Sequence, residues 1–277
     1  MRVLPVALPA ARLTGVRFLI GHGTENDFVV LPDLDAELTL TPALIARLCD
    51  RRSGIGGDGV LRVVRSADVP EGRAQAAEAE FFMDYRNADG SIAEMCGNGV
   101  RVYARYLVDA GLVVPGDLRL ATRGGVKSVY APASGDVTVD MGLALVGEPV
   151  DIDGVPSTFV DMGNPHAVVH VASIEALGEL DPTRKDLNVE YVEDLGPAHL
   201  RMRVHERGVG ETRSCGTGAC AVVVATVLRT GTPRGTAYDV DVPGGRLRVT
   251  WQEDGHVLLS GPAVLVAEGE LSKEWLA

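Results

Sequence analysis

Apolar positions along the chain fall into two kinds of run. Short stretches such as FFMDY (81–85), VTVDM (137–141), LRMRVH (200–205) and HVLLS (256–260) are apolar or alternating, and Gly, Asn and Asp punctuate the segments around them. That is the pattern of β-strands and turns. Two longer stretches differ: GVRVYARYLVDAG (99–111) and GACAVVVATVLRTG (218–231) are largely apolar over helix length and end on glycine. A helix that is apolar nearly all round must be buried, so these two predict central helices with strands wrapped about them.

The two helices belong to a repeat. EMCGNGVRVYARYLVDAG and RSCGTGACAVVVATVLRTG share C-G-x-G, an apolar helix and a closing glycine, and Cys96 and Cys215 are 119 residues apart. Upstream, FFMDYRNADGSIAEMC faces LRMRVHERGVGETRSC, with Asn87 and Glu206 in register at the same offset. Downstream, TRGGVKSVY pairs with VPGGRLRVT and GDVTVDMG with GHVLLSG, while HGTENDFVVL matches MGNPHAVVHV near the start of each half. The expectation is an α+β fold of two pseudo-symmetric domains, each a strand-rich sheet around a central helix. The boundaries drawn are 1–142 and 143–262, with 263–277 available to pack back on the first domain. Residues 66–80 read as a solvated loop or hairpin insertion, and MRVLPVALPAARLTG, broken by prolines, as a short extension rather than a leader.

Composition narrows the function. The 277 residues carry a net charge of −12, which argues against nucleic acid or an anionic membrane surface as partner. The sequence holds no apolar run long enough for a transmembrane helix. Four cysteines are too sparse for a disulfide scaffold and contain no C-x-x-C, so reduced thiols in the cytoplasm are the default. Cys49 and Cys220 read as packing residues.

Cys96 and Cys215 read otherwise. Each precedes a glycine-rich first helical turn, whose free N–H groups and dipole form an anion site. That field is expected to lower the thiol pKa below about 8.5. Two such thiols facing one another suit inversion of a carbon stereocentre: one removes the α-proton and the other returns a proton to the opposite face. The helix N-termini at Gly97–Asn98 and Gly216–Thr217 would hold the substrate carboxylate and stabilise the charge that develops. No lysine context points to pyridoxal phosphate, and no metal is called.

The motifs HGTENDFVV, GIGGDG, NADGSIAEMCGNGVR, MGNPH, LNVEYV and ERGVGETRSCGTGACA, in this order over about residues 18 to 265, make the chain resemble the diaminopimelate epimerases. The resemblance implies cofactor-independent interconversion of LL- and meso-diaminopimelate, in lysine and peptidoglycan precursor synthesis, by a homodimer. It implies Cys96 and Cys215 as the acid/base pair, with His166 and Glu206 as catalytic support. It implies that Asn26, Asn87, Asn164, Asn188, Glu206 and Arg207 line the site or hold the distal end of the substrate. A guanidinium fork suits the distal carboxylate, and carboxylate or amide oxygens suit the distal ammonium. A proline- or hydroxyproline-type racemase on the same fold is the alternative, although those relatives usually carry histidine where Asn98 stands. A thiol redox sensor built on Cys96 and Cys215 is a further one.

Overall fold

The computed structural model describes residues 15–276; the N-terminal extension read from the sequence lies almost wholly outside them. Among the described residues the architecture is strand-rich, with four α-helices: α1 (Pro42–Cys49), α2 (Gly97–Asp109), α3 (Gly216–Thr230) and the short α4 (Lys273–Leu276). In α2 every residue from Gly97 to Leu107 is buried, and in α3 every residue from Gly216 to Val227 except Thr217. The all-round apolar pattern therefore does place both helices at the centre of the molecule. Each ends at a glycine in the left-handed region, Gly111 at φ 68° and Gly231 at φ 69°, a conformation that a Cβ would strain.

Strands wrap the helices in two sheets. One has five strands in the order Val264–Leu271, Val16–Gly23, Asn26–Pro32, Gly59–Arg65 and Phe81–Asn87. The other has thirteen strands drawn from both halves of the chain. Its continuity rests on one antiparallel pairing, Val137–Leu143 against His256–Gly261. Helix α2 packs on the five-stranded sheet and on the first strands of the large one, whereas α3 packs on the strands from Val155 onward. The strands of the first half from Gly116 to Leu143 join that large sheet. The sheets trade strands, and the C-terminal strand pairs with Val16–Gly23 from the other end of the chain. A single apolar cluster runs through both helices and includes Val102, Leu107, Val222, Val224 and Leu259.

Residues 66–80 are more than a solvated loop. They form two 3₁₀ turns, and Val69 and Ala79 are buried against Val64 and Phe82. Cys49 and Cys220 are both buried among apolar neighbours.

Candidate active site

The chain enters both central helices in the same way. Cys96 and Cys215 are their N-caps, with extended backbone at φ −139°, ψ 121° and φ −124°, ψ 113°. An N-cap in this conformation leaves the first helical N–H groups pointing past the cap side chain. Glycines then let the two helix starts approach. A Cβ on Gly216 would lie 3.4 Å from Asn98 Oδ1 and 3.0 Å from Leu259 Cδ2, and one on Gly97 would lie 3.1 Å from the same Leu259 atom. Asn98 links the starts directly: its Nδ2 donates to the Ser214 carbonyl at 3.3 Å and to Asn26 Oδ1 at 3.2 Å. Ser214 Oγ in turn shares a buried 2.6 Å hydrogen bond with Thr24 Oγ1.

Around Cys96, the thiol donates to Asn26 Oδ1 at 3.6 Å. Asn26 is held from behind, because its Nδ2 donates to Asp58 Oδ2 at 2.7 Å and Arg51 braces the other Asp58 oxygen at 2.8 Å. Around Cys215, the sulfur accepts from the Gly218 N–H at 3.4 Å and stands 3.4 Å from Thr217 Oγ1. His166 and Glu190 complete that side. His166 is the second residue of the strand Pro165–Val171, which runs parallel to Asn188–Gly196, and the pleat puts Glu190 on the same face. Both side chains are fully buried, with His166 Nδ1 2.6 Å from Glu190 Oε1 and His166 Nε2 3.1 Å from Asn164 Oδ1. Ligand atoms of His166, Glu190 and Cys215 lie within 4.8 Å of one another, a set that could hold a metal. The His166–Glu190 hydrogen bond already uses two of its donor atoms.

The thiol pKa expectation is overturned. Burial pushes Cys96 up to about 11 and Cys215 well above its ordinary value. Helix N–H groups do act in the expected sense: Asn98 and Gly99 favour a thiolate at Cys96, and Gly218 favours one at Cys215. They are outweighed by desolvation and by carboxylates. Glu206 disfavours the anion at both sulfurs, and Glu190 adds to this at Cys215. Glu206 is itself pushed up, first by burial and then by Glu190 and Asp58, although Thr212 Oγ1 donates to it. Glu206 is thus a carboxylate whose charge is felt at both sulfurs.

Asn188 bridges two elements, donating to the Pro165 carbonyl at 3.0 Å and accepting from the Arg207 N–H at 2.9 Å. The Arg207 side chain is exposed. Asn87 closes its own turn, with Nδ2 2.9 Å from Ser91 Oγ, and stands beside Gly59 on the neighbouring strand. Sequence reasoning missed Thr24, Asp58, Glu190, Thr212 and Ser214. A charged residue between Val189 and Tyr191 in LNVEYV was the available signal for Glu190.

Comparison with known proteins places this arrangement. The diaminopimelate epimerase family model matches residues 18–146 and again residues 158–266. Diaminopimelate epimerase of Streptomyces coelicolor is 57% identical, with 95% of this chain and 98% of the relative covered. That of Thermobifida fusca is 48% identical, over 92% and 98%. Among solved structures, a PhzF-family phenazine biosynthesis protein from Bacillus anthracis superposes with a TM-score of 0.71 at 15% identity, over 92% of this chain and 98% of that one. A hydroxyproline epimerase from Agrobacterium vitis, solved with trans-4-hydroxy-L-proline, gives 0.67 at 15% identity over 93% of each chain. These two share the fold. The paired, cysteine-capped helices and the double family match over most of the sequence agree: the chain belongs to the diaminopimelate epimerase family.

Proposed function

We propose that this protein interconverts LL- and meso-diaminopimelate with two thiols and no cofactor, as a cytoplasmic homodimer supplying lysine and peptidoglycan precursors. The observation that carries the reading is the pair of cysteine-capped helix starts joined through Asn98 and Ser214, in a chain of this family. The reacting carboxylate binds the free N–H groups at Gly97–Asn98 and Gly216–Thr217, where two helix dipoles meet negative charge. As the α-proton leaves, charge spreads into that carboxylate and meets the same N–H groups.

One sulfur must be a thiolate when the other is a thiol. Burial keeps both protonated without substrate, so one proton has to leave as the site loads. Glu206, pushed up and acting on both sulfurs, is the group suited to take it. His166, fixed between Glu190 and Asn164, orients the Cys215 side. The distal ammonium meets the amide oxygens of the site, and the exposed Arg207 guanidinium meets the distal carboxylate.

In deuterated water, the inverted product should carry deuterium at the α-carbon, because the proton returned comes from a different, exchangeable thiol. A meso-specific dehydrogenase coupled to LL-diaminopimelate supplies the rate. Product that keeps its original α-hydrogen, or no turnover of LL-diaminopimelate in reductant, overturns the proposal.

A further inference from the structure

The hairpin turn that precedes Asn26 carries side chains where glycine would be easier. Val16–Gly23 and Asn26–Pro32 are joined by two residues, with Gly23 opposite Asn26, and these two residues are Thr24 at φ 51° and Glu25 at φ 61°. A two-residue turn of this kind needs the left-handed region at both positions, which glycine and asparagine enter most readily. Backbone held there by threonine and glutamate persists only where its surroundings over-determine it, and such places cluster at functional sites.

The surroundings come from the other half of the chain. Thr24 is 1% exposed. Its Oγ1 lies 2.6 Å from the Oγ of Ser214, the residue before Cys215, and accepts from Arg101 Nη2 at 3.3 Å. Ser214 Oγ also accepts from Asn98 Nδ2 at 3.3 Å. The same amide reaches Asn26 Oδ1, to which the Cys96 thiol donates. The turn backbone seats against residues 243–245, where a Cβ on Gly244 would stand 1.9 Å from the Thr24 carbonyl oxygen and 3.1 Å from Glu25 Cβ. Gly244 donates to the Arg213 carbonyl at 2.9 Å, and the Arg213 side chain pairs with Glu25. One turn of the first half is thus gripped by the residues that lead into Cys215, and two residues after Thr24 the same turn supplies the Asn26 that meets Cys96.

We propose that Thr24 is a positioning residue whose hydroxyl, through Ser214, sets the place of Cys215 relative to Cys96. This rests on the reading of the two cysteines as the acid/base pair. In that reaction the thiolate that takes the α-proton becomes a thiol, and the electrons of the broken C–H bond pass into the substrate carboxylate. The opposite thiol then gives its proton to the other face of the carbon and becomes the thiolate. Correct spacing lets this second transfer win. When the opposite sulfur is displaced, the first thiol has time to exchange its hydrogen with solvent and return it to the face it came from. Exchange without inversion is the signature of lost positioning, and a loss of stability alone does not produce it.

The test is incubation of wild type, Thr24→Val, Thr24→Ser and Ser214→Ala with LL-diaminopimelate in deuterated water, stopped at low conversion. Chiral separation and mass spectrometry give the meso product formed and the deuterium in the remaining LL isomer. Valine keeps the branched shape at φ 51° and removes only the hydroxyl. Thr24→Val should slow inversion by about ten- to a hundredfold, the scale of a reacting group misplaced by up to about 1 Å, and should raise exchange into the LL isomer per inversion several-fold. Thr24→Ser should keep the wild-type ratio, and Ser214→Ala, which removes the other end of the hydrogen bond, should raise it. A folded Thr24→Val with the wild-type ratio, whatever its rate or thermal stability, overturns the proposal, as does a raised ratio in Thr24→Ser. If Thr24→Val does not fold, Ser214→Ala decides it. No inversion by wild type, or inverted product that keeps its α-hydrogen, overturns the two-thiol reading beneath the proposal. An unchanged ratio in variants of an enzyme that does invert with deuterium overturns this inference alone.

Discussion

Gly218→Ala tests how tightly the Cys215 side is built. In an ordinary helix this change stabilises by about 1 kcal/mol, because alanine loses less backbone entropy than glycine. Here the added Cβ would stand 2.6 Å from Glu190 Oε1 and 3.2 Å from Glu190 Cδ and Cγ. Ordinary contact needs roughly another ångström at the oxygen. The carboxylate must therefore withdraw from the N-terminus of α3, and its 2.6 Å hydrogen bond to His166 breaks or stretches. A buried hydrogen bond to a charged group is worth about 1.5–3 kcal/mol, and few other partners are at hand for the displaced oxygens. The net expectation is a loss of about 0.5–2 kcal/mol, or roughly 1–4 °C in Tm for a chain of this size. Epimerase kcat should fall with it, because His166 loses the group that fixes its ring beside Cys215. Thermal unfolding of both proteins, followed by the coupled assay at a temperature where both are folded, measures the two effects. A variant more stable than wild type with unchanged kcat would refute the reasoning.

Other outcomes follow from the same coordinates. Cys96→Ser and Cys215→Ser should each lower epimerisation by at least about a hundredfold, the scale of a missing acid/base group, while circular dichroism stays native. Asp58→Ala removes the 2.7 Å hydrogen bond that holds Asn26 and should cut kcat/KM about tenfold in the coupled assay. Leu259→Ala takes away the side chain on which both helix starts rest and should cost about 2–5 kcal/mol in urea unfolding. Stability should also fall in alkali. Burial raises Cys49 and Cys220 to about 12 and Cys96 to about 11, above the ordinary range of a thiol, so the unfolded chain releases these protons first. Their contribution is complete below about pH 9 and shrinks as pH rises towards 11–12, which urea midpoints measured at stepped pH will show.

What the sequence disclosed, and what it hid, follows from the range of the interactions. The C-G-x-G turns and apolar helices are local patterns, and the repeat doubled their signal, so Cys96, Cys215 and the buried helices were readable. The expected thiol chemistry erred because a helix N-terminus is local, whereas the desolvation and the carboxylates that outweigh it arrive from distant strands. Glu190 and Asp58 were hidden for the same reason. Each lies in a short run whose meaning depends on which strand packs beside it. The pairing of Val137–Leu143 with His256–Gly261 joins segments more than a hundred residues apart, and nothing in either strand names its partner.

The first and last strands lie side by side, Val16 opposite Leu271 in antiparallel register. The described chain is therefore nearly a ring. A short linker from residue 272 to residue 15 would close it, and new ends could be opened at the exposed turn after Gly231, at the opposite end of α3 from Cys215. Such a circular permutant keeps every strand pairing while the first repeat comes to lie inside the second.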